Sequence, residues 1–171
     1  AVTEEGKLKG IISIRDIATS DMDTMDNRIL SKAKTPYKNI AETLGGEVLI
    51  GDENSVFDQG KLLIAAANPD RLENFIDKGD MVLLGDRYES QICSLEMGGC
   101  LIIGVDAPVA KTIQKLATEM GCTIITTPHD TYTVARLISQ SMPVKYFMTT
   151  ENLITFKTDA FTEDVKKQMA Q

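Results

Sequence analysis

The sequence predicts an α/β fold built on a mostly parallel central sheet. From residue 47 onward, short apolar runs alternate with segments of helical periodicity, an order typical of parallel strands joined by helices. The apolar runs are continuous and do not alternate with polar residues, which indicates strands that are covered on both faces. The predicted strands are 48–50, 62–65, 82–84, 101–103 and 123–125.

Helices are predicted before and between these strands. Near the start of the chain, Glu5-Gly6 predicts a hairpin turn, and the strand after it leads into a helix close to Ser13. A helix over about 27–34 precedes one with Thr35 as N-cap and Pro36 at its first position. The later predicted helices are 69–78, 88–97, 107–120 and 130–140.

Composition limits the classes of protein to consider. The chain has 171 residues, of which 43% are hydrophobic and 25% are charged, as in an ordinary soluble protein of one or two domains. A net charge of −7 disfavours a nucleic-acid-binding surface, which needs clustered positive charge. No apolar run approaches the ~20 residues of a membrane span, and the charged start does not resemble a signal peptide. We therefore expect neither a nucleic-acid partner nor a membrane.

The number and spacing of the cysteines and the histidine predict reduced thiols and no metal site. Cys93, Cys100 and Cys122 form no Cys-x-x-Cys pair, and His129 is the only histidine. A zinc site needs about four such ligands close together. We therefore expect buried thiols and a cytoplasmic location, and a catalytic Cys–His pair is the disfavoured alternative.

One short motif carries a candidate ligand site. Ser13 and Asp16 stand three residues apart where the predicted strand turns into a helix. The free N–H groups and the dipole at a helix start favour anions, so Ser13 is a candidate contact for phosphate. Asp16 has the position to accept hydrogen bonds from both hydroxyls of a ribose. The same spacing also fits a capping box, and spacing alone leaves capping the commoner explanation.

The residues around this motif resemble a known domain. Residues 4–17, with Gly10, Ser13 and Asp16 in the pattern Gly-x-x-(Ser/Thr)-x-x-Asp, resemble the second half of a cystathionine-beta-synthase (CBS) domain. That family binds adenine nucleotides with the hydroxyl and the acid. The resemblance implies that Ile12, Ser13 and Asp16 contact a nucleotide.

The end of the chain resembles the first half of a second CBS domain. Met148-Thr149-Thr150 is similar to the entry of such a domain, followed by a strand over 153–156, a turn at Thr158 and a helix over 161–170. The resemblance implies Thr149 and Thr158 as further nucleotide contacts. Because each CBS half lacks its complement, we expect the chain to be a fragment or partly recorded.

The middle of the chain, residues 36–142, resembles a DRTGG domain. The resemblance rests on Gly85-Asp86-Arg87, on Gln91, and on the closing stretch 125–138 with its Thr-Pro-x-Asp-Thr pattern. The sequence departs from the family pattern at one place. After the fourth strand, where the family has Thr-Gly-Gly, this chain has Ile103-Gly104-Val105. This departure puts in question any ligand role that the segment has elsewhere.

Polar residues that follow the predicted strands suggest a second cleft. In open α/β sheets the crevice beyond the carboxyl ends of the strands is where ligands usually bind. The alternative is that the acidic residues cap the helices that follow, and capping is the favoured explanation. The residues of this second candidate cleft are Asp86, Arg87, Asp106, His129 and Asp130.

The predicted organisation is a DRTGG domain between two partial CBS domains with βαββα character. Residues 1–35 are assigned to the second half of the first CBS domain plus a linker, 36–142 to the DRTGG domain, and 143–171 to the truncated first half of the second CBS domain. This order resembles the regulatory region of CBS-containing family II inorganic pyrophosphatases. Those enzymes join the region to a manganese-dependent catalytic part with Asp-His-His chemistry, and no Asp-His-His occurs in this sequence.

The resemblance implies a non-catalytic module for which an adenine nucleotide (AMP, ADP, ATP or a diadenosine polyphosphate) is the regulatory ligand. The module would control an attached pyrophosphatase, with manganese only in the catalytic part outside this chain. Two alternatives stay open. One is a nucleotide-sensing module of a transcription regulator or an acetyl-transfer enzyme. The other is a small free-standing α/β enzyme that uses Asp86, Arg87 and His129.

A homodimer is also expected, formed through the α/β domain and the CBS parts. The family resemblance implies it in part. The other reason is the apolar content of the helix that carries Tyr132, Val134, Leu137 and Ile138. Four apolar residues in seven predict a second apolar face on this helix, available to a partner.

Overall fold

The computed structural model describes residues 1–22, 26–64 and 74–169. Its strands are β1 (Val2–Glu4), β2 (Lys7–Gly10), β3 (Thr35–Pro36), β4 (Glu47–Ile50), β5 (Val56–Phe57), β6 (Leu62–Ile64), β7 (Met81–Leu84), β8 (Cys100–Ile103) and β9 (Ile124–Thr126). Its α-helices are α1 (Ile14–Met22), α2 (Ile29–Lys32), α3 (Tyr37–Thr43), α4 (Tyr88–Glu96), α5 (Lys111–Met120), α6 (Thr131–Leu137) and α7 (Thr162–Met169). Short 3₁₀ helices follow at Ile138–Ser141 and Val144–Tyr146.

The central sheet confirms the predicted α/β fold. Its strand order is β4-β9-β8-β7-β6, with β6 to β9 parallel and β4 antiparallel on the β9 edge. The parallel strands carry their helices on both faces, as continuous apolar runs require. The sheet is therefore mostly parallel, as predicted.

Two apolar layers cover the sheet. Met81, Leu83 and Ile102 point to one layer, which also holds Tyr37 and Ile40 of α3. The alternate strand residues point to the opposite layer, which contains apolar side chains of α4 and α5. Because successive side chains of a strand point to opposite faces, a strand with a layer on each side is apolar at every position.

The prediction that Thr35 is the N-cap of a helix is wrong. Thr35 is fully buried and pairs with Phe57 between β3 and β5, and its hydroxyl donates to the Leu30 carbonyl at 2.8 Å. Helix α3 starts later, at Tyr37, with Pro36 at the N-cap position. The buried Leu30 carbonyl needs a partner, and Thr35 satisfies it instead of capping the helix.

Three other predicted elements differ from the structure. The helix predicted over 107–120 begins only at Lys111, because Val105 and Asp106 are left-handed and the Ala107 amide closes a turn onto Gly104. Residues 153–156 form no strand, because they have no described ladder partner. Of the helix predicted over 69–78, residues 69–73 lie outside the described residues, and 74–78 form turns and irregular backbone.

The second apolar face predicted on α6 is wrong. Val134 and Ile138 are buried in the core, and Leu137 packs against it. Tyr132 alone among these four is largely exposed, at 71%. Val134, Leu137 and Ile138 are therefore used within the core of the chain.

The two ends of the chain are joined by one backbone contact. Strands β1 and β2 form the predicted hairpin, with Glu5 and Gly6 at positive φ in its turn. Directly after β2, Ile11 pairs with Thr149 in an isolated antiparallel bridge. This contact places the start of α1 beside the segment that follows the central α/β domain.

Candidate functional site

A cavity of about 650 Å³ lies where these two ends meet, and we call it the α1 cleft. Its polar lining comes from Ser13, Arg15, Asp16, Thr149, Glu151, Asn152 and Gln168. Its apolar lining comes from Ile11, Leu153, Ile154, Phe156 and Met169. A volume of this size, with an apolar wall and a few polar groups, is typical of small-molecule sites.

Ser13 and Asp16 form a reciprocal cap at the start of α1. The Ser13 backbone N–H and the Ser13 hydroxyl both donate to Asp16 Oδ2, each at 2.7 Å. The Asp16 backbone N–H donates in return to Ser13 Oγ at 3.4 Å. The capping box that the spacing allowed is therefore present in this chain.

The cap does not use up the acceptor capacity of Asp16. An ionised carboxylate has about four acceptor positions on two oxygens, and both contacts from Ser13 go to Oδ2. The hydrogen bond from the Ser13 hydroxyl, then that from its backbone, and the nearby Arg15 charge hold the pKa of Asp16 below its ordinary value. Asp16 is thus a charged acceptor at neutral pH and faces the α1 cleft.

The structure brings together part of the predicted nucleotide-binding set. Ser13, Asp16 and Thr149 all line the α1 cleft, whereas Ile12 and Thr158 are not among its lining residues. Ile12 is half-buried and Thr158 is exposed. A ligand role for the whole set stays a prediction.

Sequence reasoning missed several side chains of the cleft, notably Arg15, Phe156 and Met169. Arg15 lies within the Ser13–Asp16 motif, so its position in the sequence was a usable signal. Phe156 was assigned to a strand, and no local signal places α7 beside α1. These contacts depend on chain segments that are distant in sequence.

The residues of the second candidate cleft follow β7, β8 and β9 at the carboxyl ends of these strands. The loops after β8 and β9 are joined there, because the Val105 N–H donates to the His129 carbonyl at 3.0 Å and the Asp106 N–H to the Thr127 carbonyl at 3.0 Å. Asp130 caps α6 by accepting from the Thr133 N–H at 2.8 Å. The capping alternative therefore holds for Asp130.

Asp86 and Arg87 follow β7 and are exposed. The turn before them is held by Gln91, whose side-chain amide donates to the Gly85 carbonyl at 3.0 Å. None of the five residues of this second candidate cleft lines the α1 cleft. A ligand at this edge stays a prediction.

No group of three or more His, Cys, Asp or Glu side chains is placed to hold a metal ion within residues 1–22, 26–64 and 74–169. Cys93, Cys100 and Cys122 are not joined in disulfide bonds. Burial, with a smaller contribution from Cys100, raises the pKa of Cys122 to about 11. None of the described helices is long and apolar enough to cross a membrane.

Comparison with known proteins identifies the central domain. The family model of the DRTGG domain matches residues 39–141. The chain belongs to the DRTGG domain family. The match covers the central sheet with its helices and falls within the predicted limits of 36–142.

Two curated relatives of this DRTGG protein extend beyond the domain. The chain is 42% identical over 167 residues to the cobalt-dependent inorganic pyrophosphatase of Clostridium perfringens (strain 13 / Type A), covering 96% of the chain and 30% of the relative. It is 28% identical over 167 residues to the "Probable manganese-dependent inorganic pyrophosphatase" of Thermotoga maritima, covering 97% of the chain and 30% of the relative. The chain therefore spans about 30% of the length of these relatives.

A solved structure shows the same arrangement of the CBS and DRTGG parts. It is the regulatory region of the Clostridium perfringens pyrophosphatase, with its CBS and DRTGG domains, in complex with the activator diadenosine tetraphosphate. The TM-score is 0.87 at 40% sequence identity, over 96% of this DRTGG protein and 72% of that chain. The predicted resemblance to a CBS–DRTGG regulatory region is confirmed.

Proposed function

We propose that this chain is a non-catalytic regulatory module that binds an adenine nucleotide in the α1 cleft and controls an attached inorganic pyrophosphatase. One observation carries the proposal. The Ser13–Asp16 motif and Thr149 meet in one cleft, in a chain that matches a regulatory region complexed with diadenosine tetraphosphate over 96% of its length.

The chemistry of the cleft supports a nucleotide. Asp16 offers a charged acceptor to ribose hydroxyls, and such charge-assisted bonds are stronger than neutral ones. Arg15 and the N-terminus of α1 provide positive charge for phosphate. Ile154 and Phe156 provide an apolar wall for a base. Ile12 and Thr158 adjoin this set in sequence and stay in the proposed site.

Regulation through the cleft requires two states with different affinity for the ligand. The cleft is made from both sides of the Ile11–Thr149 bridge, so a ligand that contacts both sides favours the state in which the bridge is closed. Because coupling between sites is reciprocal, the state of the attached enzyme alters the affinity of the cleft. We propose that the metal-dependent chemistry in the relatives' names belongs to the part that this chain does not span, and that a cofactor metal is bound there.

We also propose that the chain forms a homodimer and that it is located in the cytoplasm. The proposed domain limits lie between residues 35 and 36 and between residues 142 and 143. Exposed apolar side chains support a partner surface on the CBS parts, namely Ile14 at 86%, Ile17 at 53% and Phe161 at 78%. The reduced state of the three cysteines supports a reducing compartment. Light scattering at micromolar concentration tests the dimer, because a monomer has a mass of 18.7 kDa, and a constant monomer mass contradicts it.

Calorimetric titration of the purified chain tests the function. We expect saturable binding of diadenosine tetraphosphate or AMP and no release of phosphate from pyrophosphate in the presence of Mn²⁺. Absence of binding to folded protein contradicts the sensor, and metal-dependent turnover contradicts the non-catalytic assignment. Pyrophosphatase motifs in the flanking sequence support the attached enzyme, whereas a helix-turn-helix or an acetyl-transfer domain supports the alternatives.

A further inference from the structure

The two walls of the α1 cleft differ in charge. One wall is formed by the start of α1 and contains Arg15 together with the Ser13–Asp16 cap. The other wall is formed by the segment 149–156 and the end of α7, and we call it the base wall. The charged side chain of the base wall is Glu151, a carboxylate that the proposed function has not used.

This distribution of charge favours one orientation of a nucleotide in the cleft. A phosphate is attracted to Arg15 and to the N-terminus of α1, and it is repelled by the Glu151 carboxylate. Ile154 and Phe156 lie on the same wall as Glu151, and they are 56% and 39% exposed, so their apolar surface is available to a ligand. The favoured orientation has the phosphate at α1 and the base between the side chains of the base wall.

The polar side chains of the base wall differ in what they can bind. The Thr149 hydroxyl and the amides of Asn152 and Gln168 can each donate and accept a hydrogen bond. They therefore accommodate either an amino group or a carbonyl group on a base. The Glu151 carboxylate only accepts, and the residue is exposed. Of these four side chains, Glu151 is the one that requires a donor from the ligand.

Adenine offers such a donor. Its exocyclic amino group carries two N–H donors, whereas guanine has a carbonyl oxygen at the same ring position. A carboxylate that faces this carbonyl oxygen forms no hydrogen bond, because both groups are acceptors. A bond from the amino group to the carboxylate is charge-assisted and stronger than a neutral one. A carboxylate at this position therefore favours the amino base.

We propose that Glu151 accepts a hydrogen bond from the exocyclic amino group of the bound base and thereby selects adenine nucleotides. The inference rests on the proposed function, because it names the residue that reads the base in the same cleft. Asp16, the other carboxylate of the cleft, has a different role. Its Oδ2 accepts two hydrogen bonds from Ser13, and it belongs to the wall that receives the ribose and phosphate.

A double-mutant cycle between residue and ligand tests this contact. Calorimetric titration compares AMP with purine riboside monophosphate, which has a hydrogen in place of the amino group, on the whole chain and on Glu151→Leu. We expect the wild type to prefer AMP by about tenfold, which is equivalent to about 1.4 kcal/mol. In Glu151→Leu the two affinities are expected to agree within about threefold.

IMP distinguishes between two positions of the carboxylate. IMP has a carbonyl oxygen in place of the amino group and an N–H at the adjacent ring nitrogen. A carboxylate that faces the amino position rejects IMP, whereas one that faces the ring nitrogen binds it. We expect IMP to bind at least about tenfold more weakly than AMP, and Glu151→Gln, whose amide can donate, to regain part of the IMP affinity. IMP binding as tight as AMP binding overturns the assignment to the amino group.

Glu163→Leu is the matched control. Glu163 lies in the first turn of α7 and does not line the α1 cleft. Its substitution removes the same charge and is expected to leave the preference for AMP over purine riboside monophosphate unchanged, with circular dichroism confirming that each variant is folded. An equal loss of preference in Glu163→Leu overturns the direct contact. Absence of AMP binding contradicts the proposed function as well, whereas equal wild-type affinity for the two ligands overturns the role of Glu151 alone.

Discussion

Ile11 and Thr149 exchange both of their backbone hydrogen bonds, from Ile11 N to Thr149 O at 3.0 Å and from Thr149 N to Ile11 O at 2.8 Å. The approach is close, because a β-carbon at Gly10 would lie 2.8 Å from both Met148 Sδ and the Thr149 carbonyl oxygen. This contact joins the segments before and after the DRTGG domain. The α1 cleft exists because of it.

The first prediction concerns the two residues of the reciprocal cap. Asp16→Ala is expected to weaken nucleotide binding roughly ten- to hundred-fold, because it removes charge-assisted bonds to ribose. Ser13→Ala is expected to weaken it roughly fivefold, because backbone N–H groups and water replace one phosphate contact in part. Calorimetric titration of AMP and diadenosine tetraphosphate into the folded variants measures both changes.

A closely matched control separates ligand binding from capping. Asp52 accepts from the Asn54 N–H at 2.9 Å and from the Ser55 hydroxyl at 3.1 Å, a pattern similar to that of Asp16. It does not line the α1 cleft. Asp52→Ala is expected to lower thermal stability and to leave the affinity unchanged, and unchanged affinity in Asp16→Ala would remove the main residue of the proposed site.

The second prediction concerns pH. Hydrogen bonds hold the pKa of Asp16, Asp52 and Asp130 below their ordinary value of 3.8. A carboxyl whose pKa is lower in the folded state contributes stability above its unfolded pKa and loses it as the pH falls through the folded pKa. The contributions of these three carboxylates to folding stability are therefore expected to be constant near neutral pH and to disappear below about pH 4.

Thermal unfolding of the wild type and Asp16→Asn across this range measures the effect. The difference in melting temperature is expected to be largest near neutral pH and to vanish in strong acid. A difference that grows as the pH falls would contradict the assigned direction of the pKa shift.

The third prediction concerns the buried carboxylate of Asp80. Asp80 is 1% exposed and accepts from the Lys61 N–H at 2.9 Å and the Asp77 N–H at 2.8 Å. The Lys61 ammonium lies 3.0 Å from its second oxygen. Asp80→Ala leaves the backbone N–H groups of Lys61 and Asp77 unpaired, and we expect a loss of about 1–3 kcal/mol in the free energy of unfolding for each of these donors.

Asp77→Ala is the control for this ion pair. Asp77 also contacts the Lys61 ammonium, at 2.6 Å, but its side chain is 77% exposed. Exposed pairs contribute little to stability, so urea denaturation is expected to show a much smaller loss than for Asp80→Ala. Equal losses would show that burial of the Asp80 carboxylate is not the cause.

The fourth prediction concerns the turn after β8. Val105 has a φ of 56°, and left-handed backbone costs an L-residue roughly 1–2 kcal/mol. Glycine loses about 0.5–1 kcal/mol more chain entropy on folding, so Val105→Gly is expected to stabilise the protein by up to about 1 kcal/mol. Gly121→Ala tests the opposite change. Gly121 has a φ of 68°, and an added β-carbon would meet no atom within 4 Å, so we expect this substitution to destabilise the protein through backbone strain alone. Chemical denaturation that finds Val105→Gly less stable than the wild type contradicts the prediction.

Much of the central domain follows from local sequence. The apolar runs at 82–84 and 101–103 are buried at every position, and the strands of the structure contain both. Strand formation there follows from local pattern, because a run without polar residues has to be covered on both faces. The Ser13–Asp16 cap is equally local, because residues three apart at a helix start are within hydrogen-bond reach.

Other features depend on contacts between segments that are distant in the chain. Thr35 is a good N-cap by local preference, yet its hydroxyl bonds the Leu30 carbonyl and its backbone pairs with Phe57. Val134 and Ile138 supply an apolar face that packing against the sheet covers. In each case a partner that local periodicity does not reveal decides the outcome.

The α1 cleft shows the same division. Its residue types are visible in the sequence, and so is the short spacing of Ser13 and Asp16. The meeting of Asp16 with Thr149 requires the Ile11–Thr149 bridge. Local propensity specifies single elements, whereas shared burial and backbone pairing fix which elements become neighbours.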